Sequence, residues 1–472
     1  MNQIKNKIAF FVLVVSCFFS SWSQDMTKNE LTYEEFLAYV KKYHPVIKQS
    51  NITVTEAESK LLKNRGATDP TLEFNYDDKE FKSSNYWNKF NTTFKVPTIL
   101  GVDLKVDYQQ NRGDFVNPEL LVPEDGLYSA GVSIDLARGL LMNERLANIR
   151  KGKYFVKQSL ENQKLLVNKI IFEASIAYFA WLRYHNEELI YQDYLRSSKI
   201  RLESIERSVE LGDKPKIDIT EARIAYQTVL LDLQKISLSK VKARLQVSNY
   251  LWFDSLPLEI FKEVFPVTSD TEDIALALNI NNLLSNEISV ANHPKIKSVE
   301  YKSMALEQDY RLKKNLMLPK LEISYSFLNS NTNHFNAINN NNYKGFISLK
   351  QSIFMRKQRA ELKLSKLKLT DIELEKSIIK LNIENKIIAT QEQLRSYQEQ
   401  NDLYKDLILD YERMLNAENK RFEIGESSLF LVNSREQKLF NAKIKGNELR
   451  IAYLKTILQF FNVLGGTANL TS

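Results

Sequence analysis

Residues 44–76 read HPVIKQSNITVTEAESKLLKNRGATDPTLEFNY, and residues 293–325 read HPKIKSVEYKSMALEQDYRLKKNLMLPKLEISY. The two stretches align without a gap at an offset of 249, placing His44-Pro45 on His293-Pro294, Glu58 on Glu307, Pro70 on Pro319, Leu72 on Leu321, Glu73 on Glu322 and Tyr76 on Tyr325. A second ungapped block has an offset of 213. It pairs Gly212 with Gly425 and continues through Leu245-Gln246 on Leu458-Gln459, Asn249 on Asn462 and Leu251 on Leu464. The difference between the offsets means that repeat one carries 36 additional residues between the blocks. A unit of this length is no short solenoid repeat. It is a helix–sheet–helix module used twice, over residues 25–252 and 274–466, with 253–273 as a linker and 467–472 as a tail.

Each module is expected to open on a short helix. Thr32-Tyr33-Glu34-Glu35 has the pattern of a capping box, and Phe36, Leu37 and Val40 follow at helical spacing. In repeat two, Ile274 to Ile288 take the same place. The proline of each His-Pro pair restricts the residue before it, so the first helix breaks there and a second runs over about 46–65 and 295–315.

The period then switches to two. Val102, Leu104, Val106 and Tyr108 alternate with Asp103, Lys105, Asp107 and Gln109; Tyr128, Val132, Ile134 and Leu136 lie on the apolar side of the next run, with Ala130 among them. In repeat two Leu321, Ile323, Tyr325 and Phe327 alternate with Glu322, Ser324 and Ser326, and Ile347 and Leu349 with Ser348 and Lys350, although Phe346 interrupts. Two further alternating stretches, Leu72–Asp77 and Phe90–Val96, account for the additional residues of repeat one without revealing whether they join the same layer. Alternation of this kind fits a membrane barrel with lipid outside and water inside, and equally the half-buried strands of a soluble sandwich.

The remainder is helical. From Asn143 to Leu211 and from Lys357 to Ile424 there is no proline and only Gly152 among the glycines. Nearly 70 residues in each case correspond to rods of about 100 Å at about 1.5 Å per residue. Leu367, Leu374, Leu381 and Ile388 recur every seven residues, as do Tyr397, Tyr404 and Tyr411, a spacing that favours a left-handed coiled coil. Each rod ends at a glycine turn, Gly212-Asp213-Lys214-Pro215 or Gly425-Glu426-Ser427-Ser428, and returns as a helix of about 35 residues.

Composition excludes several functions. Lys5 and Lys7, an apolar stretch from Ile8 to Phe19 and a small polar exit at 20–24 have the form of an export signal over 1–24. Its removal takes two lysines and no acid from the formal charge of +7, leaving +5, a weak excess that is no nucleic-acid footprint. Cys17 is the sole cysteine, and Val14-Val15-Ser16-Cys17 has the form of a lipidation box, with ordinary cleavage near 20–24 the favoured alternative. No long apolar run follows the signal, which argues against a helical membrane protein and leaves a barrel open. His44, His185, His293 and His334 show no metal-like spacing, and no cluster stands out as catalytic, so neither an enzyme nor a cofactor is expected.

Signal, duplication, alternating strands and paired rods together resemble the TolC-like outer membrane efflux proteins over essentially the whole mature chain. The His-Pro pairs match the family's helix ends. Gln351-Ser352-Ile353-Phe354 with Arg356 and Arg359 matches its strand-to-helix segment, Ser352 standing in place of proline, and residues 138–145 are a looser counterpart. Arg421-Phe422-Glu423-Ile424-Gly425 with Ser428 matches its helical tip; the repeat-one tip keeps Gly212 and its surroundings, with Pro215 in the hydroxyl position.

The resemblance implies an α+β membrane protein. Three protomers would each give four strands to one twelve-stranded outer-membrane barrel, and their helices would form a periplasmic cylinder. It implies a passive exit duct of a tripartite efflux or type I secretion system, with a periplasmic adaptor (membrane fusion) protein and an inner-membrane RND or ABC-type transporter as partners. The adaptor-docking tips would be Leu211, Gly212, Asp213, Arg421, Phe422, Gly425, Glu426 and Ser428. The family's acidic gate positions six and nine residues after the second glycine hold Leu431 and Ser434, whereas Asp218 and Glu221 stand at the equivalent repeat-one positions. The gate is then apolar, or Glu426 or Glu436 supplies its charge. The competing readings are a periplasmic coiled-coil adaptor or scaffold, anchored through Cys17, and an exported enzyme.

Overall fold

A computed structural model describes residues 29–267, 290–330 and 341–466. The expected signal with Cys17, the helix from Ile274 to Ile288, His334 and most of the Asn329–Asn342 connection lie outside the described residues. In chain order the elements are β1 (Glu30–Leu31), α1 (Tyr33–Tyr43), α2 (Pro45–Arg65), β2 (Thr71–Phe81), β3 (Ser84–Pro97), β4 (Val102–Arg112), β5 (Leu127–Asp135), α3 (Gly139–Met142), α4 (Glu144–Glu210), α5 (Ile217–Ser248), β6 (Trp252–Phe253), β7 (Leu256–Pro257), β8 (Phe265–Pro266), α6 (Pro294–Asn315), β9 (Lys320–Asn329), β10 (Tyr343–Lys350), α7 (Arg356–Glu423) and α8 (Leu429–Val463). The chain divides into two compact units, residues 1–48, 166–288 and 385–472 in one and 49–165 and 289–384 in the other. Each unit draws on both repeats, and the boundaries fall inside α2, α4 and α7.

The helical unit is built on an aromatic core. The capping box forms as expected, with Glu35 N–H donating to Thr32 Oγ1 (3.2 Å) and Thr32 N–H to Glu35 Oε2 (3.1 Å). It aims Tyr33, Phe36, Leu37 and Val40 into contact with Tyr178, Phe179, Trp181 and Leu182 of α4. The Tyr33 ring stacks on Phe179 with centroids 5.1 Å apart, and its hydroxyl bonds Ser175 at 2.8 Å. The Tyr178 hydroxyl donates to the Leu31 carbonyl (2.8 Å), so both buried phenols are satisfied. Residues 451–461 of α8 complete this core. One expectation is corrected here. The helical stretch Gly139–Glu210 does contain a window apolar enough to cross a membrane by length and composition, but 61% of that window is buried inside the protein. Its apolar character follows from packing, because the α4 residues of this core face neighbours on more than one side.

The other unit carries a six-stranded sheet, with every neighbouring pair antiparallel, in the order β10-β9-β5-β4-β3-β2. The two further stretches of repeat one thus join the layer of the other four as β2 and β3, with a register shift in their pairing between Lys79 and Glu80. The β2–β3 hairpin turns through Lys82 and Ser83, both at positive φ (53° and 59°), as a two-residue hairpin with matching twist requires. The two repeats meet between β9 and β5, two strands in from the β10 edge, where Ile134 lies opposite Ile323 and Val132 opposite Tyr325. Strands β2 and β10 form its two outer edges.

Candidate functional site: the hairpin tips and the two-faced sheet

The tips belong to the helical unit, and their turns follow from backbone geometry. Gly212 and Gly425 adopt φ of +83° and +79°. Asp213 N–H bonds Ser208 O (2.9 Å) and Gly212 N–H bonds Val209 O (3.1 Å); Glu426 and Gly425 repeat the pattern on Arg421 O (2.9 Å) and Phe422 O (3.2 Å). Both rods therefore end in Schellman motifs. Nothing lies within 4 Å of where a Cβ would stand on either glycine, so the residue is needed for its dihedral alone and leaves an open surface.

The two tips pack on each other. Ile205, Ala222 and Leu429 are buried together, with Val209, Ile219 and Phe422 against them. The Lys214 ammonium sits 3.6 Å from the Phe422 ring centroid, a cation–π contact that joins the two turns. Ser428 caps α8 by accepting from Leu431 N–H (3.4 Å), and an Arg421 guanidinium N–H reaches the Glu426 carbonyl at 3.4 Å. Leu211, Ile217, Ile424 and Phe430 are largely exposed around them. The last three and Lys214 were not singled out from sequence; the signal available was their adjacency to the two glycines.

The four gate candidates do not form one cluster of free carboxylates. Glu221 accepts from Asn433 Nδ2 (3.1 Å), and Asn433 in turn accepts from Arg201 (2.9 Å). Asp218 is half-buried, Leu431 exposed and Ser434 half-buried. Glu436, one of the two alternatives for a charged ring, is buried and paired with Arg201, so it offers no free charge; Glu426 stays exposed. Farther along α4, burial pushes the Glu187 carboxyl up, although Arg183 donates to it at 2.6 Å. Burial pushes the His44 imidazole down, and burial with Lys240 nearby does the same for His185. Among the described residues no group of three or more His, Cys, Asp or Glu could hold a metal ion.

The sheet presents two unlike faces. Register places Leu72, Phe74 and Tyr76 of β2 beside Phe94, Thr92 and Phe90 of β3. Phe94 and Val96 then stand beside Val106 and Leu104, with Tyr108 next along β4, and Val102, Leu104 and Tyr108 beside Ile134, Val132 and Tyr128. Tyr325, Ile323 and Phe327 follow on β9, then Ile347, Leu349 and Tyr343 on β10, with Leu349 opposite Leu321. Leu136 lies just beyond β5, its N–H on Leu321 O (2.9 Å). Every residue expected on the apolar side is thus on one face or at its margin, and the face is open: Leu104, Val106, Val132, Ile347 and Leu349 are all exposed. A soluble sandwich would cover such a face with a second layer.

The opposite face is charged and internally paired. Lys95 and Arg145 hold Asp103 at 2.9 and 2.7 Å. Thr93 and Ser129 donate to Asp107 at 2.6 and 3.1 Å, and Lys320 pairs with Glu322 at 2.7 Å. Phe346, which interrupts the sequence alternation, lies on this side opposite Ser324.

Comparison with known proteins agrees with this geometry. Residues 287–466 match the profile of the family described as outer membrane efflux protein. The CmeC outer membrane channel of Campylobacter jejuni is similar in fold, with a TM-score of 0.63 at 14% identity over 93% of this chain and 86% of that one. The outer membrane protein VceC of Vibrio cholerae gives 0.65 at 11% identity over 91% and 95%, and the open-state MtrE outer membrane channel of Neisseria gonorrhoeae 0.63 at 12% over 92% and 89%. No curated protein matches the chain by sequence.

Proposed function

We infer that the chain, whose second repeat matches the outer membrane efflux proteins and whose fold is that of the outer membrane channels, is a TolC-like outer membrane exit duct. The observation that carries this reading is the open sheet: one face apolar across every strand, the other charged, and both edges unpaired among the described residues. Lipid against the first face and water against the second is the arrangement a membrane strand demands. An open edge in lipid leaves backbone groups unsatisfied, so the sheet must close through further copies. The reading is therefore a homotrimer whose sheets form one barrel in the outer membrane and whose helical hairpins extend into the periplasm.

A stripe on α5 supports association of copies. Ile217, Ile224, Leu231, Leu238 and Leu245 recur every seven residues, and all are exposed. On α7 Leu367, Leu374, Leu381 and Ile388 do the same, so these heptads stay uncovered among the described residues. Heptad seams call for a facing helix, which neighbouring protomers would supply.

The chain would act without chemistry of its own. An adaptor protein seats on the tips around Gly212 and Gly425, an inner-membrane transporter of the RND or ABC type supplies the energy, and cargo passes along the charged interior. The open tip surfaces and the exposed Leu211, Ile424 and Phe430 support docking of one helical hairpin on another. Gly425→Leu tests this in cells lacking the native chain. The variant should reach the outer membrane and assemble, yet fail to restore export. Full export would remove the docking role, and absence of the wild-type chain from the outer membrane would remove the duct.

A further inference from the structure

The sequence left open where the β2–β3 hairpin lies, and its placement sets the size of the duct. We propose that this hairpin is part of the membrane wall, so that each protomer contributes six strands and a trimer closes an eighteen-stranded barrel through β2 of one copy and β10 of the next. The proposal rests on the exit-duct reading and gives its outer-membrane segment a specific form.

Three observations carry it. First, the apolar face does not stop at β4. Phe94 stands opposite Val106 and Leu72 opposite Phe94, so the hairpin extends the lipid-facing surface by two strands. Second, an aromatic band runs near one margin of that face and includes the hairpin. Tyr76 lies opposite Phe90, the rings of Phe90 and Tyr108 are 6.3 Å apart, those of Tyr108 and Tyr128 4.7 Å, and Phe327 and Tyr343 continue the band. Aromatic residues at the lipid–water boundary are a barrel signature. Third, the hairpin's other face is bound into the polar network. Lys95 of β3 pairs with Asp103 of β4 at 2.9 Å, and Thr93 donates to Asp107 at 2.6 Å. A hairpin set aside from the barrel would have no use for an apolar face and a polar face matched to those of its neighbour.

The duplication also provides the closing register. At the internal seam Ile134 of β5 faces Ile323 of β9. The first repeat offset, 249, carries Ile323 back to Phe74, and the second, 213, carries Ile134 forward to Ile347. Phe74 and Ile347 stand on the apolar faces of the two edge strands and are 62% and 74% exposed, so no described residue of their own chain occupies the seam. With six strands alternating in direction, the two edges run antiparallel, as closure between identical copies requires. Barrel diameter grows roughly linearly with strand number, so this mouth is about one and a half times as wide as that of a twelve-stranded duct.

The test uses the full-length protein in two experiments. Single cysteines at Phe74, Phe94 and Val132 carry an environment-sensitive fluorophore, and the assembled protein is placed in liposomes containing nitroxide-labelled lipid. In addition, the Phe74→Cys/Ile347→Cys double variant is oxidised in outer membranes, with Leu72→Cys/Ile347→Cys and Tyr76→Cys/Ile347→Cys covering the flanking registers. Quenching at Phe74 and Phe94 should fall within about twofold of that at Val132, as expected for strands in one wall, and covalent trimers should form. Quenching at Val132 alone puts the hairpin outside the membrane and overturns the eighteen-stranded barrel while leaving the duct intact. Quenching at all three sites with no cross-link in any register overturns the β2–β10 closure. No quenching anywhere removes the sheet from lipid, and the exit-duct reading falls with it.

Discussion

Glu418 and Glu436 occupy the two arms of the second hairpin, and their environments assign them different work. The Glu418 carboxylate accepts from Ser427 Oγ at 2.6 Å and lies 3.5 Å from Arg435 and 4.0 Å from Arg421. The Ser427 hydrogen bond first, then the two guanidinium groups, hold it below the usual carboxylate range against the opposing effect of burial. A carboxyl lowered in the folded state stabilises above its unfolded value, and that contribution disappears as pH falls through the folded value. The second tip should therefore become more sensitive to limited proteolysis in acid. Glu418→Gln should be as sensitive at neutral pH as the wild type is in acid, and nearly independent of pH; an unchanged acid transition in the variant would remove Glu418 from this role. The glycines of the tips were legible in the sequence because a left-handed helix end has a strong residue preference. The fate of Glu436 was not, because its partner Arg201 lies on the other repeat and only the fold brings them together.

At the scale of the element, the helices were the most legible part. Rods expected over 143–211 and 357–424 occur as Glu144–Glu210 and Arg356–Glu423, because uninterrupted helix formers end only at a glycine. The strands were less so. Asp77-Asp78-Lys79-Glu80 obscures the alternation in β2, which nevertheless continues to Phe81 because hydrogen bonding to β3 overrides local polarity. The heptad on α5 went unread, since five apolar residues among many do not announce a stripe until exposure separates them from the core. Leu231→Glu/Leu238→Glu should test its role: two carboxylates in that seam should convert trimers to monomers on an unheated gel while helical circular dichroism stays unchanged. Trimers that survive would place the protomer seam elsewhere on the helices.

The whole molecule joins three requirements that no single element reveals. An apolar sheet face needs lipid, open edges need further copies, and rods of about 100 Å need a gap to cross. Duplication and rods were sufficient for the order of elements; they were insufficient for the strand count, because a hairpin inserted into one repeat leaves the symmetry of the rest intact. The most direct measurement is made on the protein extracted from outer membranes in mild detergent, run unheated and boiled, and then inserted in a planar bilayer. The account predicts a heat-sensitive trimer with small, mostly closed conductance, the tips rather than the barrel limiting flow. A monomer or soluble dimer without conductance would contradict it.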